Sequence, residues 1–319
     1  MDRYLPIGCY GKLPVYGDYI RVRCNLPTSQ SLVDWLHSGR EETSLTGAET
    51  EASKRKNVDF RAHRRFLIGV PGSAELLAGV VRPSEGRGDR RFPFAVFVHF
   101  PRRLYSRHYA LLPFALASVW EELDSAWDSL ASVASKAAFD EVLESIDVPS
   151  PRSSREIREE YKSRQNQPVA GLFDRGDGAS LASLEKNIPD VFARLGKKAD
   201  GGRILLEMPV SKDLDEACFD ASVWIDLFNR QFFLKRFEPC VLLDERRDAV
   251  SRHVLLKFGP LRPVDYPAAA GMEGEESVVS RPAHGEKTRD EAAVEDQERG
   301  GDEGTTYGDL LGKRFGVHA

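Results

Sequence analysis

The chain has 319 residues, of which 41% are hydrophobic and 30% are charged, and its formal net charge is −5. This length allows one large domain or two small ones, and the composition is typical of soluble globular proteins. No apolar run approaches the roughly 20 residues that a membrane-spanning helix needs, and residues 1–6 lack the apolar core of a signal peptide. We therefore expect a cytoplasmic protein without membrane insertion.

The first distinctive segment is Gly11-Lys12-Leu13-Pro14, followed at a short distance by Gly17-Asp18. Glycine permits positive φ, and proline fixes its own φ and biases the residue before it toward extended geometry. These residues predict a rigid loop that turns twice after a first strand and displays Lys12 and Asp18.

Such a loop serves either as a structural corner or as a site. As a site, Lys12 and Asp18 would form part of a protein-contact surface, with or without pairing across the loop. Alternatively, the backbone N–H groups at Gly11 and Gly17 would bind an anion together with Lys12. The sequence lacks the G-x-x-x-x-G-K-[ST] pattern of a P-loop, so a nucleotide-binding loop is not supported.

Strand and helix patterns alternate along the rest of the body, and this alternation predicts an α/β class with a three-layer α/β/α sandwich. A polar stretch over 38–56 is interpreted as a surface insertion, and 152–167 as a charged connector that is either irregular or partly helical. Apolar runs predict strands over 66–70, 76–81, 92–100, 169–173, 204–206, 240–243 and 254–258. Apolar spacings of three and four predict helices over 105–146, 179–195 and 214–233.

Arginines flank the predicted strand 92–100, at positions 82, 87, 90, 91, 102 and 103. The planar guanidinium fork suits carboxylate or phosphate groups. The loop is either simply solvated or a docking patch for an acidic or phosphorylated partner. For the second case we predict Arg87, Arg90 and Arg91 as partner-binding residues.

The negative charge is concentrated in a tail. Residues 268–304 contain eleven acidic and four basic residues, which gives −7, and the last fifteen residues add +1, so residues 1–267 sum to about +1. A nearly neutral body argues against a nucleic-acid partner. Because residues 268–304 contain no aromatic residue and charge dominates there, we predict a disordered acidic linker over 266–304.

The last fifteen residues predict a short C-terminal motif, 305–319. Thr306 with Asp309 three residues later resembles a capping box, and one helix face would carry Tyr307, Leu310, Leu311 and Phe315. So short a helix is not stable alone in water. The motif therefore docks in the groove of a partner, docks on its own body, or stays frayed.

Motifs that carry chemistry are absent from the sequence. The seven histidines show no HExxH or HxH spacing, no G-x-S-x-G occurs, and the four cysteines form no CxxC pair. We therefore predict no catalytic residues, no metal site and no cofactor, and we expect the cysteines to be reduced thiols.

Several of these segments together resemble one family, the type VI secretion-associated TagF (ImpM) proteins. The matching residues are Gly11-Lys12-Leu13-Pro14, Gly17-Asp18-Tyr19, Leu26-Pro27, Trp35, Pro83-Ser84, Asp89-Arg90-Arg91 and Phe92-Pro93. Their order and spacing fit the family over roughly residues 6–145. The loop 85–88 and the acidic tail depart from the family pattern.

The resemblance implies a post-translational repressor of type VI secretion without enzymatic activity, which binds a scaffold protein with a forkhead-associated domain. Other components of the secretion system are further candidate partners. Because such domains read phosphothreonine, Thr306 with Asp309 is also a candidate ligand if Thr305 or Thr306 is phosphorylated. We assign 1–150 to the TagF-like core and 151–265 to the C-terminal part of the same fold. The alternative is an α/β enzyme or anion-binding protein with its site at the loop from Gly11 to Asp18.

Overall fold

A computed structural model of the chain describes residues 5–46, 62–85, 91–169, 180–196, 204–231, 238–244, 252–270, 279–280, 282 and 305–312. The strands are β1 (Ile7–Gly11), β2 (Ile20–Val22), β3 (Arg64–Gly69), β4 (Glu75–Glu85), β5 (Arg91–Pro101), β6 (Leu205–Val210), β7 (Cys240–Asp244), β8 (Arg252–Lys257) and β9 (Val279–Ser280). The α-helices are α1 (Pro27–Thr46), α2 (Leu112–Ala115), α3 (Ala117–Ala131), α4 (Lys136–Ser145), α5 (Ser154–Arg164), α6 (Leu181–Gly196), α7 (Leu214–Gln231), α8 (Tyr266–Ala269) and α9 (Tyr307–Gly312).

The described strands form one sheet in the order β2-β1-β5-β4-β3-β7-β8-β6-β9. Every neighbouring pair is antiparallel except β6 with β9, which is parallel. The pairing of β3 with β7 joins the two halves of the chain in this sheet. The predicted α/β class is thereby confirmed, with a mainly antiparallel sheet.

Both faces of the sheet are buried, which explains why its strands are near-continuous apolar runs without the alternation of a half-exposed strand. On one face, Leu67 and Val96 join a large apolar cluster with residues of α2, α3, α6 and α7. On the opposite face, Phe66 and Phe97 join a smaller cluster with α1 and α8.

Two predicted boundaries are wrong. The polar stretch after Ser38 was expected to be an insertion, but α1 continues to Thr46. The disordered linker was expected from residue 266, but Tyr266–Ala269 is helical and the Tyr266 ring is fully buried against Trp35. Further along the same stretch, Val279–Ser280 pairs with β6. Composition averaged over the tail hid these short apolar segments.

Candidate functional site

The loop between β1 and β2 crosses one end of the sheet and packs into both apolar clusters. Leu13 is buried in the large cluster, and Tyr16 contacts the Phe139 ring at 5.3 Å between centroids. On the opposite face, Tyr19 packs against the small cluster. The loop therefore acts as a structural corner, as one of the sequence hypotheses proposed.

Two sequence motifs that lie about 80 residues apart meet at this corner. Gly11 has φ of +137°, and a Cβ atom added there would overlap the carbonyl oxygen of Pro93. The Tyr19 ring meets the Phe92 ring edge-on, with 4.7 Å between centroids. Because β1 pairs directly with β5, each motif supplies one side of the same contact.

Tyr19 organises the polar residues of the loop. The Lys12 ammonium lies 4.3 Å from the centre of the Tyr19 ring, a cation–π contact. The backbone N–H of Tyr19 donates to the Asp18 carboxylate at 2.7 Å. Among the described residues, Lys12 and Asp18 form no ion pair with each other, so pairing across the loop is wrong. Their charged groups stay at the surface beside one aromatic ring.

An outward-facing surface results, which we call the motif-loop face: Lys12, Asp18, Tyr19, Arg21 and His37. Asp18, Arg21 and His37 are exposed, and Lys12 and Tyr19 are half-buried. Tyr10 lies beneath, stacked on Tyr19 at 5.8 Å, and its ring is 5.7 Å from the Arg21 guanidinium carbon. Burial raises the pKa of Tyr10 to about 12, so its hydroxyl remains neutral. The face presents aromatic area and cations on a rigid support.

The predicted arginine patch is only partly described. Arg87 and Arg90 lie outside the described residues. The Arg91 backbone pairs with Glu85 at the start of β5, beside Phe92 and hence next to the motif-loop face. Arg82 and Arg102 are already engaged: Arg82 binds Asp124 at 2.6 Å and Asp128 at 2.9 Å, and Arg102 binds Glu238.

The C-terminal motif docks on the body of the protein. The Tyr307 hydroxyl donates to the Asp220 carboxylate at 2.5 Å, and its ring meets Phe219 at 5.0 Å. Leu310 and Leu311 are buried in the large cluster. Of the three alternatives for this motif, the structure shows docking on its own body. Phe315 lies outside the described residues.

The capping box at the start of α9 is confirmed. The Thr306 backbone N–H and hydroxyl donate to the Asp309 carboxylate at 2.9 and 2.7 Å, and the Asp309 N–H donates to the Thr306 hydroxyl at 3.2 Å. These bonds satisfy donors that a helix start leaves without partners. Phosphorylation of Thr306 remains a prediction, and it would place a dianion beside the Asp309 carboxylate.

Sequence reasoning missed Asp220. This residue is fully buried in α7 and accepts hydrogen bonds from the Tyr307 hydroxyl and, at 2.7 Å, from the Ser211 N–H. Burial raises its pKa to about 6, against the lowering effect of these two donors. A signal was present, since Asp220 interrupts the run from Ala217 to Ile225, whose length and apolarity indicate a helix covered on all sides.

The described residues contain no group of three or more His, Cys, Asp or Glu side chains placed to hold a metal ion. No helix within the described ranges is long and apolar enough to cross a membrane. All four cysteines, at positions 9, 24, 218 and 240, are free thiols, as predicted. Burial raises the pKa of Cys240 to about 11, so this thiol stays protonated.

Residues 8–146 match the family model of the TagF N-terminal domain, described as type VI secretion system-associated. Among solved structures, the crystal structure of PA0076 from Pseudomonas aeruginosa PAO1 is similar, with 26% identity and a TM-score of 0.33. That match covers 46% of this chain and 65% of the other, just under two thirds of its length. No curated protein matches this chain.

Proposed function

Because this chain belongs, through residues 8–146, to the TagF family of type VI secretion-associated proteins, we propose that it is a non-catalytic regulator of that secretion system. In this proposal it acts in the cytoplasm as a post-translational repressor and binds a scaffold protein with a forkhead-associated domain. The family match is the observation that carries the proposal. We also propose a three-layer α/β/α sandwich, supported by the helices that cover both faces of the sheet.

The motif-loop face is the contact surface that we propose for this partner. Two of its members, Tyr19 and Arg21, are side-chain types that are enriched in protein interfaces. The support is rigid because Gly11 closes against Pro93 and the rings of Tyr10, Tyr19 and Phe92 are in mutual contact. Such preorganisation lowers the entropy cost of binding.

The alternative of an enzyme or anion site at the same loop has less support. The Lys12 ammonium lies over the Tyr19 ring, and the Asp18 carboxylate accepts a hydrogen bond from the Tyr19 N–H. Both charged groups are therefore already engaged in contacts with Tyr19. These contacts favour use of the loop as a corner and a protein-contact surface.

We predict that reversing two charges on this face, Lys12→Glu with Arg21→Glu, weakens binding to the forkhead-associated-domain scaffold at least tenfold. Arg21 is exposed and Lys12 makes a surface cation–π contact, so the protein should remain folded. Binding is measured by calorimetry with the purified scaffold from the same genome, and folding by circular dichroism.

The matched control is Arg103→Glu with Arg107→Glu, which changes the charge by the same amount. Both control residues are exposed and follow the far end of β5, an 11-residue strand whose first residues adjoin the motif-loop face. The control should bind like the unaltered chain. If the Lys12→Glu/Arg21→Glu variant binds the scaffold as tightly as the control variant, the motif-loop face is not the contact surface, but the proposed function still stands. The proposed function would be refuted if the unaltered chain does not bind the scaffold and if deletion of its gene leaves type VI secretion unchanged.

A further inference from the structure

The C-terminal segment 305–311 lies in a groove formed by residues distant in the sequence. Its backbone pairs with the chain that follows α5: the Val169 N–H donates to Thr305 O at 2.9 Å, the Tyr307 N–H to Gln167 O at 3.0 Å, and the Gly308 N–H to Gln165 O at 2.8 Å. The opposite wall is α7, which supplies Phe219 and Asp220.

The walls of this groove are tied together by contacts that do not involve the segment. At the end of α5, Arg164 binds Asp215 at 2.7 Å and Glu216 at 3.2 Å, both in the first turn of α7. The Tyr161 hydroxyl donates to Asp226 at 3.0 Å, and the Tyr161 ring contacts Phe219 at 5.4 Å. The groove should therefore persist when the segment leaves.

We propose that this groove is an exchangeable peptide-binding site, and that residues 305–311 are its intramolecular ligand. The six-residue α9 is too short to be stable alone, so the segment gains its helix only by docking. Docking also removes the Asp220 carboxylate from water, which opposes the apolar gain from Leu310 and Leu311. A balance of this kind permits replacement by a peptide supplied in trans.

The groove specifies the chemistry of its occupant. Asp220 needs a donor at the buried end, which a tyrosine hydroxyl provides and a phenylalanine does not. Two aliphatic residues must follow at the third and fourth positions after the tyrosine, as Leu310 and Leu311 do. The occupant is thus a short helical peptide with a Tyr-x-x-aliphatic-aliphatic pattern, preceded by a capping threonine. This inference does not depend on the proposed role in secretion.

The test uses the full chain carrying Leu310→Asp, which should unseat the segment, and a fluorescent peptide with the sequence of residues 303–314. We expect anisotropy to show saturable 1:1 binding to this variant, at least tenfold tighter than to the unaltered chain, because a tethered ligand competes at high effective concentration. The control Gly312→Ala, at an exposed position with open space around it, should behave like the unaltered chain.

A Tyr307→Phe peptide should bind the Leu310→Asp chain at least tenfold more weakly than the original peptide. Equal binding of the original peptide to the variant and to the unaltered chain, or binding to neither, would overturn the proposal. If the variant does not fold, the unaltered chain with a protease site inserted near residue 295 replaces it. After cleavage under native conditions, the released segment should dissociate on dilution and be replaced by the labelled peptide; a segment that never exchanges would also overturn the proposal.

Discussion

Replacing Gly11 with alanine is expected to destabilise the protein by roughly 2–6 kcal/mol, the combined cost of backbone strain and steric overlap. Gly11 has φ of +137°, a conformation that side chains with a Cβ rarely adopt. The added methyl would also overlap Pro93 O and lie 2.8 Å from Phe94 Cα, and both atoms belong to a central strand that has little room to move. Urea unfolding monitored by circular dichroism measures the loss.

Two other glycines separate the two causes. Gly72 has a positive φ of +79°, and a Cβ atom added there would meet no other atom within 4 Å. Gly72→Ala therefore tests backbone strain alone and should lower the free energy of unfolding by about 1–2 kcal/mol. Gly17 lies in the loop that follows Gly11, and a Cβ atom added there would meet no other atom within 4 Å. Gly17→Ala should therefore be neutral, or should stabilise the protein slightly by restricting the unfolded chain. A Gly11→Ala cost no larger than that of Gly72→Ala would show that β5 yields to the methyl group.

The position of Gly11 also shows how far sequence reasoning reaches. The turning loop after β1 was predicted because glycine permits positive φ and proline fixes its own φ, and both effects are local. The contact between Gly11 and Pro93 was not predicted, because it depends on the pairing of β1 with β5 across about 80 residues. Since both faces of the sheet are buried, the apolar runs carry no alternation from which strand order or facing could be inferred.

The tail shows the opposite limit. Its composition indicated a change after residue 265, but Tyr266 at its start and Tyr307, three residues beyond its end, are both buried. A single aromatic residue among several charged ones hardly changes the composition averaged over about forty residues. The cap formed by Thr306 and Asp309 was predictable because it is local. The docking position of α9 was not predictable, because it depends on contacts with Phe219 and Asp220 from another part of the chain.

Replacing Asp220 with asparagine should remove part of the pH dependence of folding. Burial raises the pKa of this carboxyl from 3.8 to about 6 in the folded chain. Asparagine can keep both hydrogen bonds, because its carbonyl accepts the Ser211 N–H while its amide donates to the Tyr307 oxygen. Relative to the unaltered chain, the variant should gain about 2 kcal/mol of stability between pH 4 and pH 7.5.

The sign follows from proton binding in the two states. Below the unfolded pKa of 3.8 the group is protonated in both states and has no effect. As the pH rises from 3.8 to about 6, the unfolded chain releases the proton while the folded chain retains it, so stability falls. Above about pH 6 the folded carboxyl is ionised, and its full burial cost is present. The asparagine side chain does not ionise and avoids this cost, so the stability of the variant relative to the unaltered chain increases as the pH rises through this range.

Tyr307→Phe tests the same contact in the opposite direction. It removes a donor that lowers the pKa of Asp220 but leaves the carboxyl in place, so the pKa should rise further and stability should fall more at pH 7.5 than at pH 4. Thermal and urea unfolding across this pH range compare the three chains. If the unaltered chain and Asp220→Asn show parallel pH profiles, Asp220 is in contact with water in the native protein. That result would mean that the segment from Thr305 to Leu311 spends most of its time outside the groove.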